Sequence, residues 1–165
     1  MADEHYTRDE SEAESLDRQW LELLQELRIG TAGTQILFAF LLTIAFTQAF
    51  RQADDLTHRV FAVTLTLAAL ATALLIGPVP FHRLLFRQRL RGRMVKIASN
   101  MANAGLFLLM LAMAGGVFMA LDAAVARSSA VVIAAAVLAC FVLVWYVLPI
   151  VVRQSSDGVR DNLDK

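Results

Sequence analysis

The sequence predicts an all-α fold, an integral membrane bundle of four transmembrane helices preceded by a short amphipathic helix. Three observations carry that prediction. Of the 165 residues, 58% are hydrophobic, against roughly 45–50% in an ordinary soluble domain. All 30 Asp, Glu, Lys and Arg residues fall outside four stretches, 29–50, 60–81, 97–121 and 128–152. These stretches hold 22, 22, 25 and 25 residues, and at about 1.5 Å rise per residue each helix is roughly 33–38 Å long, enough for a hydrocarbon core of about 30 Å. Lipid offers no hydrogen bonds, so a spanning segment satisfies its backbone only as a helix or in a closed barrel. A soluble bundle is excluded by size, because the remaining 71 residues cannot wrap 94 charge-free ones.

The termini and the four-span unit divide the chain into an acidic segment 1–14, an amphipathic juxtamembrane helix 15–28, the spans within 29–152 and a tail 153–165. The first 28 residues carry nine acidic and three basic side chains, the reverse of a secretory signal's positive start. Span 1 is therefore expected to act as an uncleaved signal anchor. Ser11 and Glu14 have the capping-box spacing. Leu16, Trp20, Leu23, Leu24 and Leu27 then recur at helical intervals, with Asp17, Arg18, Glu22, Gln25 and Glu26 on the other face. Such a helix lies on the membrane surface, leads into span 1, or docks against a partner helix.

Orientation follows from Lys and Arg near the span ends, since positive loops resist translocation. The N-terminal segment, the loop 82–96 and the tail together hold twelve such residues, and the loops 51–59 and 122–127 share three: Arg51, Arg59 and Arg127. Both termini are thus expected to be cytoplasmic. The six-residue link from Asp122 to Arg127 makes spans 3 and 4 an antiparallel hairpin.

Two groups of residues stand out as candidate sites. Loop 82–96 carries Arg83, Arg87, Arg89, Arg91, Arg93 and Lys96 without an acidic residue, a pattern that contacts anionic lipid and anchors topology. It is too short and too close to the membrane to present a groove-reading element, so no nucleic-acid partner is expected. Ser99, Asn100 and Asn103 share an arc of about 100° on span 3 and form the best intramembrane polar cluster. They suit hydrogen bonding to neighbouring helices or contact with a headgroup or ligand. The threonines of spans 1 and 2 read as interhelical glue.

Other patterns bound the chemistry. Inside the spans there is no Asp, Glu, Lys, Arg or His, the groups that proton relays and ion-coupled carriers use. No phosphate-cradling glycine loop, His-Glu-x-x-His or paired-cysteine metal site occurs. His58 and His82 flank span 2 on opposite sides of the bilayer and cannot share a metal. No catalytic residue, cofactor or metal is therefore assigned. Cys140, within span 4, reads as a small buried apolar residue. Small residues four apart, Ala98 and Ala102, then Ala112, Gly116 and Ala120, Ala130 and Ala134, and Ala135 and Ala139, mark expected helix contacts. Gly115-Gly116 is expected to kink span 3, Gly77-Pro78-Val79-Pro80 to end span 2, and Pro149 to disturb the last turns of span 4.

Glu26-Leu27-Arg28, the run from Gln35 to Leu42 (QILFAFLL), and Pro78 followed by His82-Arg83 and Phe86-Arg87 resemble a family of small four-span bacterial membrane proteins with no assigned function. The resemblance runs from the amphipathic helix to the end of span 4. It implies the same architecture and a bacterial plasma membrane, and it assigns no ligand, partner or catalytic residue. Two functions fit these observations: an accessory or scaffolding membrane subunit, self-associating or attached to a larger complex, and a small oligomeric transporter or channel for an uncharged or lipid-like substrate. In the second, Asn100 and Asn103 stand near a cytoplasmic mouth.

Overall fold

The computed structural model describes residues 12–80 and 91–153, and among them there are helices and turns and no strand. The order is α1 (Glu12–Ala45), a short α2 (Gln48–Arg51), α3 (Asp55–Ile76), α4 (Arg91–Asp122) and α5 (Arg127–Val142). Four helical stretches, Asp17–Ala45, Asp55–Pro80, Met94–Asp122 and Arg127–Arg153, are long and apolar enough to cross a membrane. The chain is a multi-pass membrane protein of four spans.

The amphipathic segment does not form a separate surface helix. It is the first part of the 34-residue α1, which runs unbroken from Glu12 to Ala45. Asp17, Arg18, Glu22, Gln25 and Glu26 are exposed. Leu27, by contrast, is 5% exposed and packs with Leu23 against Leu75, Ala102 and Leu106. The apolar stripe thus finds its partner inside the same chain. Ser11, half of the expected capping box, lies outside the described residues, and the side chain of Leu16 is not described.

Span 1 ends earlier than its charge-free stretch. After Ala45 the chain turns, Thr47 adopts an extended conformation (φ −75°, ψ 150°) and its hydroxyl accepts from the Phe50 N–H, capping α2. Residues 46–50 are apolar enough to span, but they fold as a helical step at the rim of the bundle. Span 2 behaves nearly as expected: α3 ends at Ile76, although Gly77 stays in the right-handed region (φ −48°, ψ −39°) and a helical turn follows through Pro80. Pro149 acts as expected. It has no N–H to give Trp145 and its ring crowds that carbonyl. The preceding turn, Leu143–Val147, widens to a π-helix, with the Leu148 N–H donating five residues back to Leu143.

α1, α3 and α4 pack on one another, and α4 is the hub, because it also carries α5. In the apolar windows of the third and fourth spans, 39% and 6% of residues are buried. The α3–α4 seam is the most extensive contact. Lipid tails are as apolar as leucine, so helices in a bilayer associate by close packing, and this seam is built on that principle. Ala68 and Ala71 of α3 and Ala98 and Ala112 of α4 are fully buried. Gly115 lies so close to Thr64 that a Cβ there would collide with the threonine hydroxyl. A Cβ on Gly105 would stand 2.9 Å from Leu75 Cγ and 3.3 Å from the Ala71 carbonyl. α4 is helical without a break from Arg91 to Asp122, through the pair Gly115-Gly116, and the absence of a side chain at Gly115 allows the close approach of Thr64.

α5 touches α4 along one line, where Ala130 and Ala134 are 0% and 8% exposed. Ala120, Ala135 and Ala139, expected to face neighbouring helices, are exposed within the chain. Cys140 is exposed too, which corrects its reading as a buried residue. At 100° per residue it lies about 120° round the helix from Ala134.

Candidate functional site

The densest polar arrangement among the described residues closes one end of the bundle, where α3 begins, α4 ends and α5 begins. Asp54 is the N-cap of α3 and accepts from the Thr57 N–H (3.0 Å) and the Thr57 hydroxyl (2.7 Å). That hydroxyl also stands 3.2 Å from Asp122 Oδ2. Arg127 completes the set. Its Nε and Nη2 each donate to Asp122 at 2.9 Å, a two-pronged pair, and its Nη1 donates to Asp54 Oδ2 at 2.6 Å. One guanidinium therefore joins three segments, as its planar fork of donors permits.

Helix electrostatics does not explain these positions. An acidic residue at the last turn of α4 and a basic one at the first turn of α5 each oppose the helix dipole. The two charges are there for each other, and the Asp122 side chain is only 9% exposed. Beside this clasp, α2 is fixed to the start of α3: His58 Nε2 donates to the Phe50 carbonyl (2.9 Å), and the two rings meet edge to face at 4.7 Å. A carbonyl only accepts, so the neutral ring carries its proton on Nε2. Between α2 and the clasp lies a cleft of about 510 Å³, with Ile44, Phe50 and Met119 on its apolar side and Asp54, Asp122 and Arg127 on its polar side.

Donation from Arg127, and after it from Thr57, holds the Asp54 carboxyl well below the usual carboxylate range. A carboxylate depressed in the folded state contributes stability above its unfolded pKa, and loses it as pH falls toward the folded value. The melting difference between wild type and Asp54→Asn should thus be constant from pH 7 to about 5, and shrink only below about pH 4. A difference already gone at pH 5 would show that the clasp does not hold the fold.

The candidates named from sequence lie toward the other end of α4. From Asn100 to Asp122 the helix rises about 33 Å. Ser99 is half-buried, Asn100, Asn103 and Lys96 are exposed, and the three polar residues stay on neighbouring positions of one helix. Arg83, Arg87 and Arg89 lie outside the described residues; Arg91 and Arg93 stand in the first turn of α4 with side chains not described. The span threonines bond their own helices: Thr31 donates to Leu27, Thr43 to Ala39, Thr66 to Ala62 and Thr72 to Ala68. These four hydroxyls are spent on their own helices, whereas Thr64, 2% exposed, is packed between α3 and Gly115 of α4. The clasp itself was available as a signal, since Asp54, Asp122 and Arg127 occupy two short loops assigned to the same side.

Residues 9–149 match the model of a family of unknown function, DUF6328. The chain belongs to this family. No curated protein and no solved structure matches it. The DUF6328 match takes in α1 to α5, the clasp and the Ser99, Asn100 and Asn103 positions. Among the described residues of this DUF6328 protein, no group of three His, Cys, Asp or Glu is disposed to hold a metal.

Proposed function

We propose that the protein is an accessory or scaffolding subunit of a bacterial plasma membrane, acting through helix packing, with both termini in the cytoplasm. The observation that carries this reading is the attachment of the fourth span, which meets α4 along Ala130 and Ala134 and leaves its other faces, Ala135 and Ala139 included, open. A helix held along one side, by Ala130, Ala134 and the Phe107–Tyr146 ring contact, has another side to offer a neighbour. Arg83, Arg87, Arg89, Arg91, Arg93 and Lys96 contribute contact with anionic lipid on the cytoplasmic side.

The transport alternative gains less from the geometry. Thr31 and Thr72 are engaged with their own backbones, and Asn100 and Asn103 are on the outside of the bundle. The deciding experiment is gentle extraction of the C-terminally tagged protein from its native membrane, followed by the mass and composition of the particle. A stoichiometric second protein is the expected result, with the tag reached by protease only in inverted vesicles. A homo-oligomer without a second protein would overturn the reading of an attached subunit and call for flux measurements. A tag cleaved from the outside would reverse the orientation.

A further inference from the structure

Two clefts, of about 490 and 400 Å³, lie between α1 and α3. The first is lined by Arg28, Thr31 and Leu75 among others, the second by Phe38, Leu42 and Ala69. Gln35 belongs to both. On α1 the lining positions from Leu24 to Leu42 fall on one face, so the two clefts form one groove about 27 Å long. Its inner part is apolar, and its cationic end lies where α1 enters the membrane.

The polar groups of this groove are unequal. Thr31 and Thr72 spend their hydroxyls on the carbonyls of Leu27 and Ala68. Gln35 and Arg28 are exposed, and among the described residues neither side chain has a hydrogen-bond or ion-pair partner. Gln35 is about 10 Å deeper than Arg28 along the helix. An amide facing hydrocarbon at that depth without a partner is costly. The groove therefore asks for an occupant with an anion at one end, a hydrogen-bonding group below it and an apolar body beyond. A phospholipid has those parts in that order.

We propose that the α1–α3 groove binds one anionic membrane phospholipid, with its phosphate at Arg28, a glycerol-ester carbonyl at the Gln35 amide and an acyl chain along Phe38, Leu42 and Ala69. A second copy of the chain fits the groove less well. Two copies of the same orientation related by a two-fold axis would set Arg28 against Arg28 at one depth, and the nearest acidic residue on that side of α1 is Asp17, three turns away. The lipid site is independent of the scaffolding reading and survives its failure.

The test uses the full-length protein in phosphatidylcholine vesicles containing a trace of phosphatidylglycerol or of phosphatidylcholine with a photoreactive acyl chain, and maps the labelled residues by peptide mass spectrometry. Label from phosphatidylglycerol is expected to concentrate on 35–42 and 69–72, above the level on the exposed faces of α5. Arg28→Ala should lower it about tenfold, to the level of phosphatidylcholine. Gln35→Leu should lower both lipids together, and Ala39→Trp, which obstructs the groove, should abolish the concentration. Label spread evenly over α1, α3 and α5 would overturn the proposal. So would unchanged labelling in both Arg28→Ala and Gln35→Leu, or cross-links between two α1 helices through this face.

Discussion

Leucine in place of Gly115 should force α3 away from α4 and destabilise the protein by about 3 kcal/mol, at the upper end of what overpacking costs. The cause is local. A Cβ at this position collides with the Thr64 hydroxyl and stands 3.1 and 3.2 Å from its Cγ2 and Cβ. Thr64 is 2% exposed and β-branched, so it has few rotamers in which to retreat. Even Gly115→Ala should lose stability, because the roughly 1 kcal/mol that alanine contributes to helix propensity is outweighed by the clash. Gly33 supplies the comparison: a Cβ there meets nothing within 4 Å, and Gly33→Ala should gain about 0.5–1 kcal/mol. Thr64→Ala opens the space and should rescue Gly115→Ala, with a coupling of about 0.5–3 kcal/mol in the double-mutant cycle. Unfolding in detergent with increasing sodium dodecyl sulfate measures all of these variants, the double variant included. Equal responses of Gly33→Ala and Gly115→Ala would show that the seam is not set by glycine.

Truncation of Leu75 should have the second largest effect, about 1–3 kcal/mol. In a water-soluble core, Leu→Ala costs about 2–5 kcal/mol, part of it lost transfer from water, which has no counterpart in a bilayer. What remains is the cavity. Leu75 is 1% exposed and is wedged between two glycines, with its side chain 3.4 Å from the Cβ position of Gly30 on α1 and 2.9 Å from that of Gly105 on α4. Leu27, Ala102 and Leu106 close round it. Leu75→Ala therefore loosens three helices at once, and hydrogen exchange at residues 23–31 should rise along with the lowered unfolding midpoint. Leu70, 51% exposed on the same helix, should change by less than about 0.5 kcal/mol on truncation. If the two variants behave alike, the wedge is not what joins α1 to the α3–α4 seam.

What the sequence made legible divides by range. The spans were visible because charge is excluded from hydrocarbon, and that exclusion acts residue by residue. Pro149 was visible for the same local reason, a missing donor four residues after Trp145. The end of span 1 was not visible, since Phe46 and Phe50 are as apolar as anything within the membrane and only the Thr47 cap marks the step. The continuity of α1 was one of three readings left open, because the charges at 17–28 also allowed a boundary that the backbone does not observe. The role of Gly115 depended on knowing that Thr64 stands opposite. The clasp was only half legible: the two short loops were placed on one side, but nothing local pairs Arg127 with an aspartate 73 residues back. Of its members only Arg127 entered the count of topogenic charge, a property that ignores who faces whom.

The unbroken α1 has a mechanical meaning. Its 34 residues make a rod of about 51 Å in a hydrocarbon core of about 30 Å, so roughly 20 Å stand clear of the apolar layer. Without a hinge between Trp20 and Leu27, a sideways pull on the projecting end is not absorbed as bending. It arrives as torque at the Leu27–Leu75 fulcrum, and from there it tilts the membrane-embedded arm that forms one wall of the α1–α3 groove.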